Sequence, residues 1–212
     1  MPNTGEGLIV AEKSISVTNI VAGASRLQPV VLTIGQAAGA LAAVAIKNKQ
    51  QPAAVNIREV QLALLESKAY IMPFIDVKAT DKDFKVLQKI GATGILKGTG
   101  IPYKWANQTW FYPEQPINEY ELANGMRTYY SIPASLHASG KLVDVTFAAE
   151  LFSAAAKRKI STDELLNALN AGMAGQVKPG STLSRRSIAI LMDHFLDPFA
   201  IPVDFNGIPK TK

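Results

Sequence analysis

The chain has 212 residues, 48% hydrophobic and 18% charged, with 15 glycines, 12 prolines and no cysteine. This composition supports a packed core in one or two domains and excludes wholesale disorder, a disulfide framework, a thiolate metal site and a cysteine nucleophile. The net charge of +5 is scattered, and Lys157-Arg158-Lys159, Arg185-Arg186 and the Lys210-Thr211-Lys212 tail form no long basic stripe with interleaved aromatics, so nucleic acid is not an expected partner.

The first residues, Met1-Pro2-Asn3-Thr4-Gly5-Glu6, lack the basic start and apolar block of a signal peptide. Gly7 to Ala11 (GLIVA) is a short apolar run that fits a buried strand. Ser14 to Ser25 reads as an irregular connection. A helix is expected to begin near Ser25-Arg26, with Ser25 as N-cap and Pro29 in the first turn, and to run to about Asn48. Leu27 to Ile46 carries no charge over a membrane-spanning length and contains Gly35-x-x-x-Gly39. Gln28, Pro29, Thr33, Gln36 and the excess of Ala and Gly over Leu and Phe make it feebly apolar. The expectation is therefore a soluble helix buried on most sides, with no membrane span. Gln51-Pro52 ends it, and Asn56 caps a second helix with Val60, Leu64 and Leu65 on one face.

Pro73 and the FIDV segment mark a boundary. A helix follows from about Asp81 to Ala92, with Phe84, Leu87, Gln88 and Ile90 at helical spacing. Gly91, Gly94, Gly98 and Gly100 punctuate a turn-rich stretch. The aromatics Tyr103, Trp105, Trp110, Phe111 and Tyr112 come next, ending in Pro113-Glu114-Gln115-Pro116. Asn118, with Glu121 three residues on, caps a helix to about Tyr130. Further helices are expected over Val145 to Lys157 and Thr162 to Asn170. Lys178 to Leu183 then leads into a Ser184-capped helix, Arg185 to Phe195. A helix, a proline-bearing loop and a capped helix thus occur twice, as a degenerate duplication.

Two resemblances follow from particular residues. Leu8-Ile9-Val10-Ala11, Ser14-Ile15-Ser16, Arg26, Gln28-Pro29 and Gly35-Gln36-Ala37-Ala38-Gly39 together resemble the C-terminal end of bacterial FAD-dependent oxidoreductases related to the fumarate-reductase-like flavoproteins. The resemblance covers about Gly7 to Ile75. It implies a strand returning to the flavin, a Ser/Gly-rich loop reaching an Arg, and a helix running away from the cofactor. Glu12-Lys13 stand where many of those proteins have a Gly and then an acid holding a ribityl hydroxyl, so Glu12 would serve from a shifted position. By this resemblance Glu12, Ser25, Arg26, Leu27, Gln28 and Gly35 are the candidate FAD contacts. The second resemblance, over about Phe74 to Phe195, is to the S-layer homology motif. It rests on Asp76, Val77, Gly94, Ile95, Gly98, Phe111, Pro113 and Ile117. Glu119 stands roughly where that family has a polymer-binding Arg, whereas Arg185 keeps one in the second repeat.

The flavin reading has a physical basis, because reduced flavin carries negative charge around N1 and O2. A helix amino terminus with free N–H groups favours such charge, and Arg26 adds a cation. Gly35 and Gly39 would give close helix–sheet approach. A complete dinucleotide site also needs a Gly-x-Gly-x-x-Gly turn between strand and helix, with a ribose-binding acid downstream. Gly98-Thr99-Gly100-Ile101-Pro102-Tyr103 does not supply it. The chain is thus expected to hold one wall of a flavin pocket, the rest coming from an N-terminal FAD-binding domain outside these residues.

Other chemistry is sparse. His137 and His194 are too far apart in sequence to expect a multi-histidine zinc centre, and no metal site is expected. His194 beside Asp193 lacks a nucleophile elbow and fits helix-end electrostatics. Asp144, Glu150, Asp163 and Glu164 read as helix-start or surface carboxylates. Trp105, Trp110 and Tyr112 are candidate carbohydrate contacts, with a mini-core under a Gly-rich loop as the alternative.

The expected fold is mainly α with a few short β-strands, helical and bundle-like, with two helix–loop–helix pseudo-repeats in the C-terminal part. Residues 1–75 would be the flavoprotein segment and 76–212 the S-layer-homology-like region. The expected function is part of a FAD-dependent oxidoreductase acting on a small, carbohydrate-related substrate, inactive alone and with no catalytic residue of its own. The alternatives are a non-enzymatic module binding a glycan or wall polymer, or an assembly domain. An uncovered apolar helix would lead to a homo-oligomer.

Overall fold

The computed structural model describes residues 7–104, 106–172, 177–204 and 206–210. The chain is mainly α-helical, with one two-stranded sheet among the described residues. It divides into two units, Met1–Ala69 and Tyr70–Lys212.

The first unit is organised on one long helix. Thr18 Oγ1 accepts a hydrogen bond from Val21 N–H and starts α1, Asn19–Ser25. Leu27 is extended and begins α2, Gln28–Asn48, with Pro29 in its first turn. Helix α2 ends at Lys49 in the left-handed region, φ 53°, where the Lys49 N–H bonds the Ala45 and Ile46 carbonyls. Asn56 caps α3, Ile57–Glu66, by accepting from Arg58 N–H at 3.0 Å. Val44, Ala45 and Val55 form a small core with Leu41, Val60 and Ala63, along the carboxyl half of α2.

Three expectations for this unit are corrected. Gly7–Ala11 pairs with no strand, and a 3-10 turn at Glu12–Ser14 follows it. A strand needs a neighbour for its backbone groups, and no described residue supplies one. The stretch read as an irregular connection contains α1, so Ser25 ends that helix instead of capping α2. Helix α2 is not buried on most sides. Only 17% of its most apolar 18-residue window is covered, and Leu32 and Ile46 are 72% and 79% exposed. By length and composition alone, this helix could cross a membrane.

The second unit holds most of the buried apolar residues, among them Phe74, Phe111, Leu122, Phe152 and Leu191. Helix α4, Phe84–Thr93, ends at Gly94 in the left-handed region. A hairpin follows, with β1, Thr99–Tyr103, antiparallel to β2, Ala106–Trp110, and Ile101 opposite Gln108. The Phe74 ring fills the space beside Gly91 and Gly98, where any Cβ would strike it. Then come α5, Glu119–Met126, α6, Val145–Ala156, α7, Thr162–Gly172, and α8, Arg185–Phe195. Both expected helix–loop–capped-helix passages are present.

A third helix start joins them. Pro116-Ile117-Asn118, Leu142-Val143-Asp144 and Thr182-Leu183-Ser184 meet by mutual bridges, Pro116 with Ser184, Asn118 with Leu142 and Asp144 with Thr182. Val143 N–H donates to Ile117 O at 2.9 Å and Leu183 N–H to Val143 O at 2.8 Å. The central Ile117, Val143 and Leu183 are buried. The third residue of each triplet caps its helix: Asn118 accepts from Glu121 N–H, Asp144 from Phe147 N–H and Ser184 from Ser187 N–H. One local code, apolar then cap, therefore serves two purposes. It buries a side chain at the junction and satisfies a free donor of the helix that follows.

Candidate functional site

In the first unit, the turn from α1 to α2 places Ser25, Arg26, Leu27 and Gln28 in succession. The Arg26 N–H closes α1 by bonding Ala22 O at 3.3 Å. Leu27 offers no side-chain cap, and the first backbone bond into α2 runs from Val31 N–H to Leu27 O at 2.9 Å. Pro29 has no N–H to satisfy. The N–H groups of Gln28 and Val30 have no partner among the described residues. This end of α2 is open, and its partial positive charge is uncompensated. The Arg26 side chain is exposed and makes no ion pair or hydrogen bond among the described residues, so a carboxylate-paired role is not observed.

Glu12 stands apart from that turn. It is exposed, adopts φ 59° and opens the 3-10 turn that packs on α2. No ion pair joins it to Arg26. Gly35 is two turns further along α2, roughly 10 Å from Gln28 at 1.5 Å per residue. A Cβ at Gly35 or at Gly39 would meet nothing within 4 Å. The expected close approach of a neighbour at these glycines is therefore not made by any described residue.

Several charged side chains of the second unit are used internally. The Asp76 carboxylate accepts from Phe111 N–H at 2.9 Å and Tyr112 N–H at 2.7 Å, which fixes the exit from β2. Buried Arg185 donates through Nε to Phe111 O at 2.8 Å, and through its other nitrogens to Lys97 O and Glu121. Its desolvation lowers its pKa, against the opposing charge of Glu121. Arg186 holds three carboxylates: Asp81 through two bonds of 2.9 Å, Asp83 at 2.8 Å and Glu114 at 2.7 Å. Lys89 pairs with Asp193 and lies 3.3 Å from Asp197. Burial works against the Lys89 charge, but its bond to Asp193 and the charges of both carboxylates raise its pKa. These cations are committed to protein partners 64 to 105 residues away in sequence for Arg185 and Arg186, a separation that local pattern does not reveal.

His194 is exposed, with its ring edge-on to Phe195, and Asp193 is engaged by Lys89, so the adjacent pair forms no acid–base dyad. His137 is exposed in a loop. Among the described residues no group of three His, Cys, Asp or Glu could hold a metal. Trp110 stacks on Tyr112 with ring centres 5.6 Å apart, and its Nε1–H donates to Gln108. Phe111 is buried, while Tyr103 lies at the hairpin edge under the Lys104 ammonium. The aromatic cluster thus divides between core and surface. Trp105, the third candidate carbohydrate contact, lies outside the described residues.

No curated protein and no solved structure matches the chain. Residues 1–64 match the family model described as FAD dependent oxidoreductase. The match contains the α1–α2 turn and all six candidate cofactor contacts, and it stops before the second unit begins. Residues 1–64 are thus related to FAD-dependent oxidoreductases, whose cofactor is FAD.

Proposed function

We propose that the first unit is one wall of the flavin pocket of an FAD-dependent oxidoreductase, and that this chain is inactive without the polypeptide forming the other wall. The observation that carries this reading is the open amino end of α2, lying within the segment that matches the family model. A bound FAD would supply two-electron redox chemistry. The residues present fit one side of such a group. Among the described residues, Gln28 and Val30 offer unpartnered N–H donors, and Arg26 offers an unpaired cation at the same helix end. Together they favour negative charge on a flavin ring edge. Ser25 and Leu27 line the same turn, Gly35 leaves α2 open to close approach, and Glu12 supplies a carboxylate for a sugar hydroxyl. The sequence contains no Gly-x-Gly-x-x-Gly turn for the pyrophosphate, so a second polypeptide segment must hold the adenine dinucleotide half.

The test mixes the full chain with FAD, alone and with an FAD domain of this family lacking its own C-terminal segment. Flavin absorbance and thermal melting are the readouts. The expected result is no tight binding by the chain alone and flavin retention by the mixture, weakened by Arg26→Ala. Tight binding by the chain alone refutes the one-wall reading, and failure of the mixture to retain flavin refutes the flavoprotein reading.

The second unit has a separate, non-enzymatic reading as a binding module. The stacked and half-buried Trp110–Tyr112 pair favours this, whereas Arg185, at the position implied to contact a polymer, is buried against protein carbonyls and does not. Any ligand must therefore be met by other residues.

A further inference from the structure

The carboxyl ends of α5, α6 and α8 border one concavity of about 690 Å3 in the second unit. Arg127 follows α5 directly, Lys157 follows α6, and Lys210 arrives from the C-terminal segment, where its N–H bonds Pro202 O at 2.8 Å. Ala155, Ile201, Pro202 and Tyr130 supply apolar wall. The volume lies within the ordinary range for small-molecule sites.

Among the described residues, none of the three cations forms an ion pair. Arg127 uses one nitrogen on Asn124 Oδ1, leaving the rest of its fork free of any described acceptor. Lys157 and Lys210 form no ion pair among the described residues, and the charge of Lys210 is felt at longer range by half-buried Asp204. One carboxylate lines the cleft, Asp197; it lies 3.3 Å from Lys89, which also pairs with Asp193, so that trio sets one net negative charge against the three cations.

Helix dipoles offer a competing use for these charges. A helix carboxyl end carries roughly half a negative charge, so three ends offset about half of three cations. The offset here is smaller, because terminal carbonyls are already bonded. Lys157 N–H takes Ala154 O, Asp197 N–H takes Met192 O, and the Tyr130 hydroxyl donates to Leu196 O at 3.0 Å. Burial raises the Tyr130 pKa, as does the charge of Asp197, so the phenol remains a donor and adds no anion. A net positive charge is left facing a partly apolar cleft.

We propose that this cleft binds an organic anion, with a carboxylate or phosphate held by Arg127, Lys157 and Lys210, and an apolar ring or chain laid against Tyr130, Ile201 and Pro202. The site is independent of the flavin reading, and it contains neither Arg185 nor the Trp110–Tyr112 pair.

The experiment titrates the full chain calorimetrically with phenyl phosphate, phenylacetate, inorganic phosphate and benzyl alcohol. At least one aromatic anion is expected to saturate, with benzyl alcohol and inorganic phosphate each bound at least tenfold more weakly. Which aromatic anion wins distinguishes phosphate from carboxylate. Arg127→Gln and Lys210→Gln are each expected to weaken it about tenfold with an unchanged melting temperature, and Lys141→Gln to leave it unaltered. Lys210 is exposed near the chain end, so its substitution keeps the test independent of folding. No saturable binding by either aromatic anion overturns the proposal, as does undiminished binding by both cleft variants. Inorganic phosphate binding as tightly as phenyl phosphate overturns the apolar half of it.

Discussion

The guanidinium of Arg185 lies over the ring of Phe111, 4.9 Å from its centre, while its Nε–H bonds the carbonyl oxygen of that same residue. Side chain and backbone of one residue are thereby fixed by one cation brought from α8. The Asp76 carboxylate holds the Phe111 N–H. Phe111 is gripped at donor, acceptor and ring, and this explains how a loop between β2 and α5 enters the core.

Removing that cation should cost more than its ion pair suggests. Arg185→Met takes the donor from two carbonyls, Phe111 O and Lys97 O. At about 1–3 kcal/mol for each buried group left unsatisfied, the expected loss is about 2–6 kcal/mol. Glu121 is 48% exposed, so Glu121→Gln should cost less than about 1 kcal/mol. Arg185→Lys should rescue little, because an ammonium cannot span the fork. Urea midpoints at constant slope provide the comparison. Equal losses for Arg185→Met and Glu121→Gln would show that the ion pair, and not the carbonyl bonds, is what matters.

The glycines divide into two classes that substitution separates. A Cβ on Gly125 would enter the Ile95 carbonyl oxygen, which is backbone and cannot rotate away. Gly125→Ala is expected to destabilise the second unit by about 1–3 kcal/mol or more, as overpacking does. A Cβ on Gly35 meets open space in the middle of α2. Gly35→Ala should be neutral, or stabilise the isolated chain by up to about 1 kcal/mol through helix propensity. Thermal melts of the two variants test the contrast, and a large loss from Gly35→Ala would reveal a neighbour packed against that face.

Much of this architecture was legible locally. The caps Asn56, Asn118 and Ser184 predicted their helices because a cap acts within three residues, and Arg185–Phe195 has the expected limits. Helix α1 was not legible. Asn19–Ser25 mixes β-branched residues with glycine and starts from a single threonine. The hairpin was hidden by Pro102, which cannot donate to a ladder and lies opposite Asn107 on a two-stranded edge. The three-way junction was hidden for another reason. Ile117, Val143 and Leu183 each look like an ordinary residue before a cap, and only their mutual pairing makes them a core. For the candidate flavin contacts, composition and spacing alone gave no site, and resemblance over a run of residues was needed to single out Arg26.

Acid should weaken the Arg186 clamp in a defined direction. The hydrogen bonds from Arg186 hold Asp81 below its ordinary value of 3.8, with burial pulling the other way. A carboxylate whose folded pKa is depressed stabilises the fold above its unfolded pKa and loses that contribution as pH falls through the folded one. The stability gap between the native chain and Arg186→Gln should therefore be widest near about pH 5 and narrow toward about pH 2. Urea unfolding at both pH values measures it. A gap that is constant with pH would show that Arg186 acts through packing alone.

The exposed surface of the first unit predicts association. Ile20 on α1 is 91% exposed, and α2 presents Leu32, 72% exposed, and Ile46, 79% exposed, beside open glycines with no charge between Arg26 and Lys47. Each fully covered side chain of this size is worth about 1.5–3 kcal/mol, so even partial covering of three drives association unless translational losses exceed it. In the absence of a flavoprotein partner, the native chain should sediment as a species larger than its 22.8 kDa monomer. Leu32→Lys combined with Ile46→Lys should shift it toward the monomer without altering the melting of the second unit, whose core contains neither residue. Adding the complementary FAD domain should have the same effect on native chain, because both partners would compete for one face of α2. A native chain that stays monomeric at every concentration would mean that this face needs no cover in water, and the one-wall reading would lose its physical motive.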